Sequence, residues 1–215
     1  EGEDDGVTFN VEIYDYVYDS AGNHITAEDI VWMIEQNMEA ALKPSFGKVK
    51  SVEQTGDYTL KVVMKQNMVG AFEQILTAGY VVSKKAYEES KDGFATEIAS
   101  TAPYKIAEFT SGATMTVERR DDYWQKPELI HPACSANVQT IKYHVITEAS
   151  QAGIALETGT LDAFYILDQN TVSQFEGNDK FTYVATPFIN GSQMFFSGHE
   201  SRPIASDVNL RQAIC

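Results

Sequence analysis

Residues 19–30 read DSAGNHITAEDI and contain a turn, a helix cap and the start of a helix. The run from Asp19 to Asn23 is rich in turn-forming residues, and Thr26 is a residue type that caps helices. Glu28 and Asp29 follow in the first helical turn, where the positive end of the helix dipole stabilises carboxylates. The stretch therefore predicts a tight turn that leads directly into a capped helix.

The sequence on both sides of this turn has regular periodicity. Apolar residues alternate with polar ones over Val7–Ile13, which is the pattern of a half-buried strand. Apolar residues recur at helical spacing from Thr26 to about Leu42, and Pro44 and Gly47 end that helix. The chain is therefore predicted to open with a strand, a turn and an amphipathic helix.

Short strands and helices alternate through the rest of the chain. Hairpins are predicted where two apolar runs flank a polar turn, at 49–53 with 58–65 and at 104–109 with 114–118. Further strands are predicted at 141–145, 161–166, 181–185 and 193–196, and further helices at 72–76, 84–90, 150–158, 171–175 and from 208 onward. This mixture predicts an α/β fold without internal repeats.

Composition excludes several classes of function. The chain has 31 Asp and Glu against 16 Lys and Arg, and a net charge of −15 repels both nucleic acid phosphates and anionic lipid headgroups. No stretch approaches the ~20 apolar residues of a membrane-spanning helix. Cys134 and Cys215 lack the spacing of a zinc site or a disulfide framework. We therefore expect no nucleic acid partner.

The sequence contains no recognisable catalytic or cofactor motif. Glycine-rich phosphate loops, the GxSxG elbow and HExxH are all absent, and the four histidines lie far apart. Glu28 and Asp29 are better explained as helix-capping residues than as an acid–base pair. Asp121 and Asp122 are better explained as a solvated turn, because adjacent residues do not face each other. We expect no catalytic residue, no metal site and no cofactor.

Four segments, in a fixed order, carry a resemblance to a known family. They are DSAGNHITAEDI at 19–30, STAPYKI with ERRDDYW at 100–106 and 118–124, ALETGTLD at 155–162, and DVNLRQAI at 207–214. These segments resemble DG-x-PLTAEDV, GTGPYK with ERNDDYW, ALxxGEID and DVRVRQAI of the solute-binding proteins of ABC importers, the family of the oligopeptide, dipeptide and nickel receptors. Ser100 and Ala102 replace two glycines of the family pattern, and Ser197 replaces an asparagine. These departures affect local loop geometry, because Ala adopts positive φ less readily than Gly.

The resemblance implies a class II lobe of the periplasmic binding protein type, with a mixed sheet and flanking helices. It implies an outlying subdomain of lobe I at residues 1–99 and the core part of that lobe, up to the hinge, at residues 100–215. Family members also carry a further N-terminal segment and continue into a second lobe. The chain is therefore expected to be a fragment that is truncated before the second lobe.

The function implied by the resemblance is capture of a small solute, foremost an oligopeptide, in a cleft between lobes. Delivery to ABC permease subunits follows, without enzymatic activity. Relatives take peptides, nickel complexes, sugars or haem, so the ligand itself is left open. The implied location is periplasmic, or on the bacterial cell surface as a lipoprotein whose anchor precedes Glu1. An enzyme with a convergent site, and an adhesion or signalling module without a transport role, remain the alternatives.

Five residues at loops or strand ends are expected to contact the ligand: Phe46, Tyr80, Phe164, Tyr165 and Asn190. Phe46 follows the first helix, where relatives place an aromatic residue against the ligand. A core position is the competing explanation for each aromatic residue, because aromatic side chains contribute large buried areas. Tyr123 and Trp124 occupy family motif positions and are interpreted as packing residues.

Overall fold

The protein is represented by a computed structural model, which describes residues 6–41, 43–132, 135–165, 169–184, 207–209 and 212. The chain divides into two compact units, Glu1–Val145 (unit 1) and Ile146–Cys215 (unit 2). The boundary predicted near Ser100 falls inside unit 1, between two sheets described below, and it stays a prediction.

Most of the regular structure lies in unit 1. Its strands are β1 (Thr8–Glu12), β2 (Val49–Gly56), β3 (Thr59–Met64), β4 (Tyr104–Thr110), β5 (Thr114–Arg119) and β6 (Thr140–His144). Its α-helices are α1 (Ala27–Ala40), α2 (Ala71–Ala78) and α3 (Lys84–Glu89), and unit 2 contains α4 (Ala149–Glu157) and α5 (Gln169–Phe175). The two predicted hairpins, β2–β3 and β4–β5, are confirmed.

The first sheet has the antiparallel order β1-β3-β2, and α1 packs against it. In register, Phe9 lies opposite Val62 and Val11 lies opposite Leu60, so the apolar residues of the two strands share one face. The buried core residues on this face and on the helices are Ala27, Met33, Ile34, Phe46, Val49, Leu60, Val62, Met64, Ala71 and Ile75. Burial of these side chains is the main stabilising contribution in this part of unit 1.

The second sheet has the antiparallel order β4-β5-β6. A row of β-branched residues, Ile106, Val117 and Ile141, crosses its three strands. β4 is irregular between Ile106 and Glu108, where the register shifts. The apolar residues of the alternating pattern that predicted these strands therefore lie opposite each other, and such cross-strand pairs stabilise a sheet.

The start of α1 is held by the capping interaction that the sequence indicates. The Thr26 backbone N–H donates to Asp29 Oδ2 at 2.8 Å, and the Thr26 hydroxyl donates to the same oxygen at 3.2 Å. The other carboxylate oxygen of Asp29 accepts from the Lys84 backbone N–H at 2.8 Å. A capping residue of α1 therefore also fixes the start of α3.

Two predicted strands are wrong within the residues that the structure describes. Residues 161–165 and 181–184 contain no strand. An apolar run forms a strand only when a neighbouring strand supplies hydrogen-bond partners, and the run itself does not encode that partner. The strand predicted at 193–196 lies outside the described residues, whereas Val208, Asn209 and Gln212 are helical as predicted.

The helices of the described ranges are short relative to the thickness of a lipid bilayer. Across the described ranges, none combines the length and the apolar composition needed to cross a membrane.

Candidate functional site

Three aromatic side chains meet beyond the end of β1 and form what we call the aromatic cluster: Tyr14, Tyr16 and Trp124. The ring centroids of Tyr14 and Tyr16 are 5.0 Å apart, and Trp124 lies 6.3 Å from Tyr14 and 6.2 Å from Tyr16. The Trp124 indole N–H donates to the Thr101 carbonyl at 2.7 Å, which fixes the indole in place. Such distances are typical of favourable aromatic packing.

A cavity of about 640 Å³ borders this cluster, and we call it the aromatic cavity. Its lining residues are Glu12, Ile13, Tyr14, Val17, Ile25, Ile30, Val81, Thr101 and Trp124. A mainly apolar wall with a few polar groups, and a volume of about 300–1,000 Å³, are typical of small-molecule sites. Of these lining residues, only Glu12 carries a charge.

Tyr16 experiences a negative environment. Its hydroxyl is buried and has no hydrogen-bond partner among the residues that the structure describes. Burial raises the pKa of Tyr16, and the neighbouring Tyr14, Asp15 and Glu128 raise it further. The Lys126 Nζ lies 4.5 Å from the centroid of the Tyr16 ring. The aromatic cluster therefore already holds one ammonium group by a cation–π contact.

Arg120 connects the segments that form the wall of the cavity. Its side chain is only 4% exposed. One guanidinium nitrogen donates to the Ser100 carbonyl and another to the Asp19 carbonyl, both at 2.9 Å. Its Nε pairs with Asp122 at 3.1 Å. Thr101 follows Ser100 directly. Arg120 therefore positions the same stretch of backbone whose Thr101 carbonyl accepts the hydrogen bond from the Trp124 indole.

The ion pair between Arg120 and Asp122 predicts a defined acid sensitivity. The hydrogen bond from Arg120 lowers the pKa of Asp122 in the folded protein, so the pair stabilises the fold above the unfolded-state pKa and loses this effect as the pH falls through the folded-state pKa. Asp122 is 70% exposed, which limits the contribution to about 1 kcal/mol. We expect Asp122→Asn to lower stability at pH 7 by no more than that amount.

Urea unfolding of the wild type and of Asp122→Asn at a series of pH values measures this effect. The difference between the two proteins should shrink as the pH falls from about 5 and should be lost below the lowered folded-state pKa of Asp122. Asp121→Asn is the matched control, because Asp121 is the exposed neighbouring carboxylate and should show a smaller difference at pH 7. A difference that does not shrink across the acidic part of the series would contradict the role of the ion pair.

The structure gives Phe46 and Tyr80 opposite surroundings. Phe46 is 0% exposed and belongs to the core of unit 1, so the structure gives it a packing position instead of the ligand-facing position expected for it. Tyr80 is 79% exposed, and the Lys43 Nζ lies 4.5 Å from its ring centroid. Lys43 also donates to the Ala78 carbonyl, which holds the ammonium over the ring. Tyr80 therefore presents an exposed ring that is contacted by the Lys43 ammonium group.

The other predicted ligand residues lie in unit 2 or outside the described chain. Phe164 is half-buried and Tyr165 is exposed. Asn190 lies outside the residues that the structure describes. Ligand contact at these positions, and at Tyr80, stays a prediction.

Sequence reasoning missed the aromatic cavity. Trp124 does pack, as interpreted, but it also lines the cavity, and Tyr14 and Glu12 were not singled out. The alternation of tyrosines at 14, 16 and 18 was an available signal of an aromatic surface. The contributions of Val81 and Thr101 were not readable, because they come from segments far away in sequence.

Two further cavities in unit 1 are polar. One, of about 420 Å³, lies between the starts of α1 and α3, where Lys84 and Glu28 pair at 2.8 Å. The other, of about 850 Å³, is bordered by residues 89–99 and by β4. In that loop Asp92 accepts bonds from the Thr96 hydroxyl and from the Ala95 backbone N–H. Glu28, Lys84 and Asp92 are thus engaged in bonds within the protein.

Solved structures define the class of protein to which this fold belongs. NikZ from Campylobacter jejuni, solved in complex with Ni(L-His), matches with a TM-score of 0.70 at 18% identity over 83% of this chain and 36% of that one. AppA from Bacillus subtilis, solved in complex with a nonapeptide, matches with a TM-score of 0.65 at 22% identity over 75% of this chain and 32% of that one. The fold is therefore that of a periplasmic binding protein-like class II lobe, as predicted.

Sequence comparison identifies the family. The model of the bacterial extracellular solute-binding proteins, family 5 Middle, matches residues 1–215, and the chain belongs to this family. The oligopeptide-binding protein AppA of Bacillus subtilis is 24% identical over 98% of this chain and 39% of its own length. The probable peptide-binding protein YejA of Agrobacterium fabrum is 27% identical over 66% of this chain and 25% of its own length. The chain thus spans less than two fifths of these relatives.

Proposed function

We propose that this chain is part of the substrate-binding component of a bacterial ABC importer. In this proposal, the protein captures an oligopeptide or a similar small solute in a cleft between two lobes and delivers it to permease subunits in the membrane. The observation that carries the proposal is the family match over residues 1–215, together with a relative named as an oligopeptide-binding protein that aligns over 98% of the chain. Proteins of this kind bind without covalent chemistry.

The proposed contribution of this chain to ligand binding is aromatic. Tyr80 and Tyr165 are exposed, and a tyrosine supplies a large apolar ring with a hydroxyl that can hydrogen-bond a peptide. Lys43 holds the Tyr80 ring from one side, which lowers the entropy lost when a ligand packs on the other side. Phe164 and Asn190 are proposed as further contacts. Phe46 lies in the core of unit 1 and is not among the ligand contacts that we propose.

The proposed location is outside the cytoplasm, either in the periplasm or on the cell surface. The family is one of bacterial extracellular proteins, which supports this location. Attachment through a lipidated N-terminal segment, and docking on permease subunits, are the finer parts of the proposal.

Native mass spectrometry of protein purified without denaturation tests the proposal. We expect a bound mass that is released on unfolding and that fragments as a peptide. Titration calorimetry with that peptide should then show tenfold or more weaker binding to Tyr80→Ala, because central aromatic residues dominate many interfaces. Tyr143→Ala, at a half-exposed tyrosine of β6, is the matched control and should bind normally.

The same experiments can also contradict the receptor proposal. A protein that carries no mass, and that gives no thermal shift with peptides, nickel–histidine or sugars, would overturn the receptor proposal. The adhesion or signalling alternative would then be favoured.

A further inference from the structure

The lining of the aromatic cavity combines an apolar wall with a single carboxylate. The aromatic side chains of Tyr14 and Trp124 and the aliphatic side chains of Ile30 and Val81 line the apolar part of the wall. Glu12, at the exposed end of β1, contributes a carboxylate to the same lining. No Lys or Arg is present among the lining residues, so an ammonium group entering the cavity meets attraction without competition from a fixed cation.

The surroundings reinforce this preference. Asp15 and Glu128 lie close enough to Tyr16 to affect its ionisation, which places further negative charge beside the aromatic cluster. Lys126 occupies the face of Tyr16, and Tyr16 does not line the cavity. The protein's own cation therefore leaves the rings that line the cavity available. The net charge of −15 adds a long-range attraction for cations.

We infer that the aromatic cavity binds a small organic cation, with its apolar body against the Tyr14 and Trp124 side chains and its ammonium group at Glu12. Apolar burial supplies affinity, whereas the carboxylate and the negative faces of the rings select the positive charge. A neutral molecule of the same shape loses the charge contribution, and an anion is repelled by Glu12. The lining residues of this cavity are not among the proposed peptide contacts, so the two binding events can be tested separately.

Nuclear magnetic resonance of the ¹⁵N-labelled 215-residue chain tests the inference directly. The two tryptophans give two indole N–H signals, and Trp124 lines the cavity whereas Trp32 packs against Tyr87 with ring centroids 5.1 Å apart. We expect phenethylammonium to move the Trp124 signal saturably and to leave the Trp32 signal in place. The neutral 2-phenylethanol should bind about fivefold more weakly, and 3-phenylpropionate should not bind.

Variants locate the charge selection. Glu12→Gln should weaken phenethylammonium binding about fivefold and abolish the preference over 2-phenylethanol. Glu53→Gln is the matched control, because Glu53 is an exposed carboxylate of the same sheet that does not line the cavity, and it should bind as the wild type does. Tyr14→Leu keeps an apolar side chain but removes the ring, and should weaken binding about threefold.

The inference would be overturned by the absence of a saturable shift of the Trp124 signal with any probe, or by equal affinity for the three probes. Equal loss of binding in Glu12→Gln and Glu53→Gln would also overturn it, since net charge instead of the cavity would then be responsible. These outcomes are separate from those of the peptide experiment, whose measured quantity is a retained peptide and not the Trp124 signal.

Discussion

Arg120→Ala is expected to lower the free energy of unfolding by about 3–5 kcal/mol, because two hydrogen bonds from a charged donor are lost at about 1.5–3 kcal/mol each. The substitution removes the guanidinium donor from the carbonyls of Asp19 and Ser100, which keep the backbone N–H groups of Gly22 and Ser20 as donors. The remaining donors do not replace the lost bonds, because hydrogen bonds from a charged donor are stronger than those between neutral groups. Urea unfolding, followed by circular dichroism, measures the change.

Two other variants separate the geometry of Arg120 from its charge. Arg120→Lys keeps the charge but loses the planar fork that reaches both carbonyls, so most of the loss should remain. Arg119→Ala is the neighbouring control, because Arg119 donates a single bond to the Ala136 carbonyl at 3.2 Å and should cost about 1 kcal/mol. If Arg120→Ala and Arg119→Ala proved equally destabilising, the central role of Arg120 would be wrong.

Phe46→Ala is expected to destabilise unit 1 by about 3–5 kcal/mol, because a fully buried ring is replaced by a cavity in the core. Tyr80→Ala, at a position that is 79% exposed, should change stability by no more than about 0.5 kcal/mol. Thermal and urea unfolding of both variants provide the comparison. Similar losses at the two positions would contradict the assignment of Phe46 to the core.

Binding measurements distinguish the two aromatic residues further. Phe46→Leu keeps most of the volume and should fold with a loss of about 1.5 kcal/mol, so its ligand binding can be measured. We expect its peptide affinity to equal that of the wild type, whereas Tyr80→Ala should bind more weakly. If Phe46→Leu is fully folded but binds the peptide more weakly than the wild type, the contact between Phe46 and the ligand that the family resemblance implied would instead be favoured.

The elements that were predictable from sequence are those whose signals are local. The β2–β3 and β4–β5 hairpins are each contained in one short stretch of alternating residues with a polar turn, and α1 begins at a recognisable cap. A local pattern suffices here, because each element finds its partner or its cap within a few residues. Two of the four segments that carry the family resemblance, 19–30 and 100–106 with 118–124, lie in or beside these elements.

The candidate site was less predictable, because it depends on distances between segments. Phe46 and Tyr80 are both aromatic residues after helices, yet one is in the core and the other is exposed. A sequence pattern that does not include the packing partners of a ring cannot separate these two positions. The strand predicted at 161–166 is absent from residues 161–165 for a related reason, since an apolar composition does not ensure that a neighbouring strand is present.

The amino-acid sequence by itself determined the α/β class, the family, the two hairpins and the start of α1, because periodicity, turns and caps act over a few residues. Only the tertiary structure decided that Arg120 joins the backbone at Asp19 and Ser100 and that Glu12 and Trp124 line one cavity. These arrangements depend on the burial of a shared core, which brings together residues that are up to about a hundred positions apart.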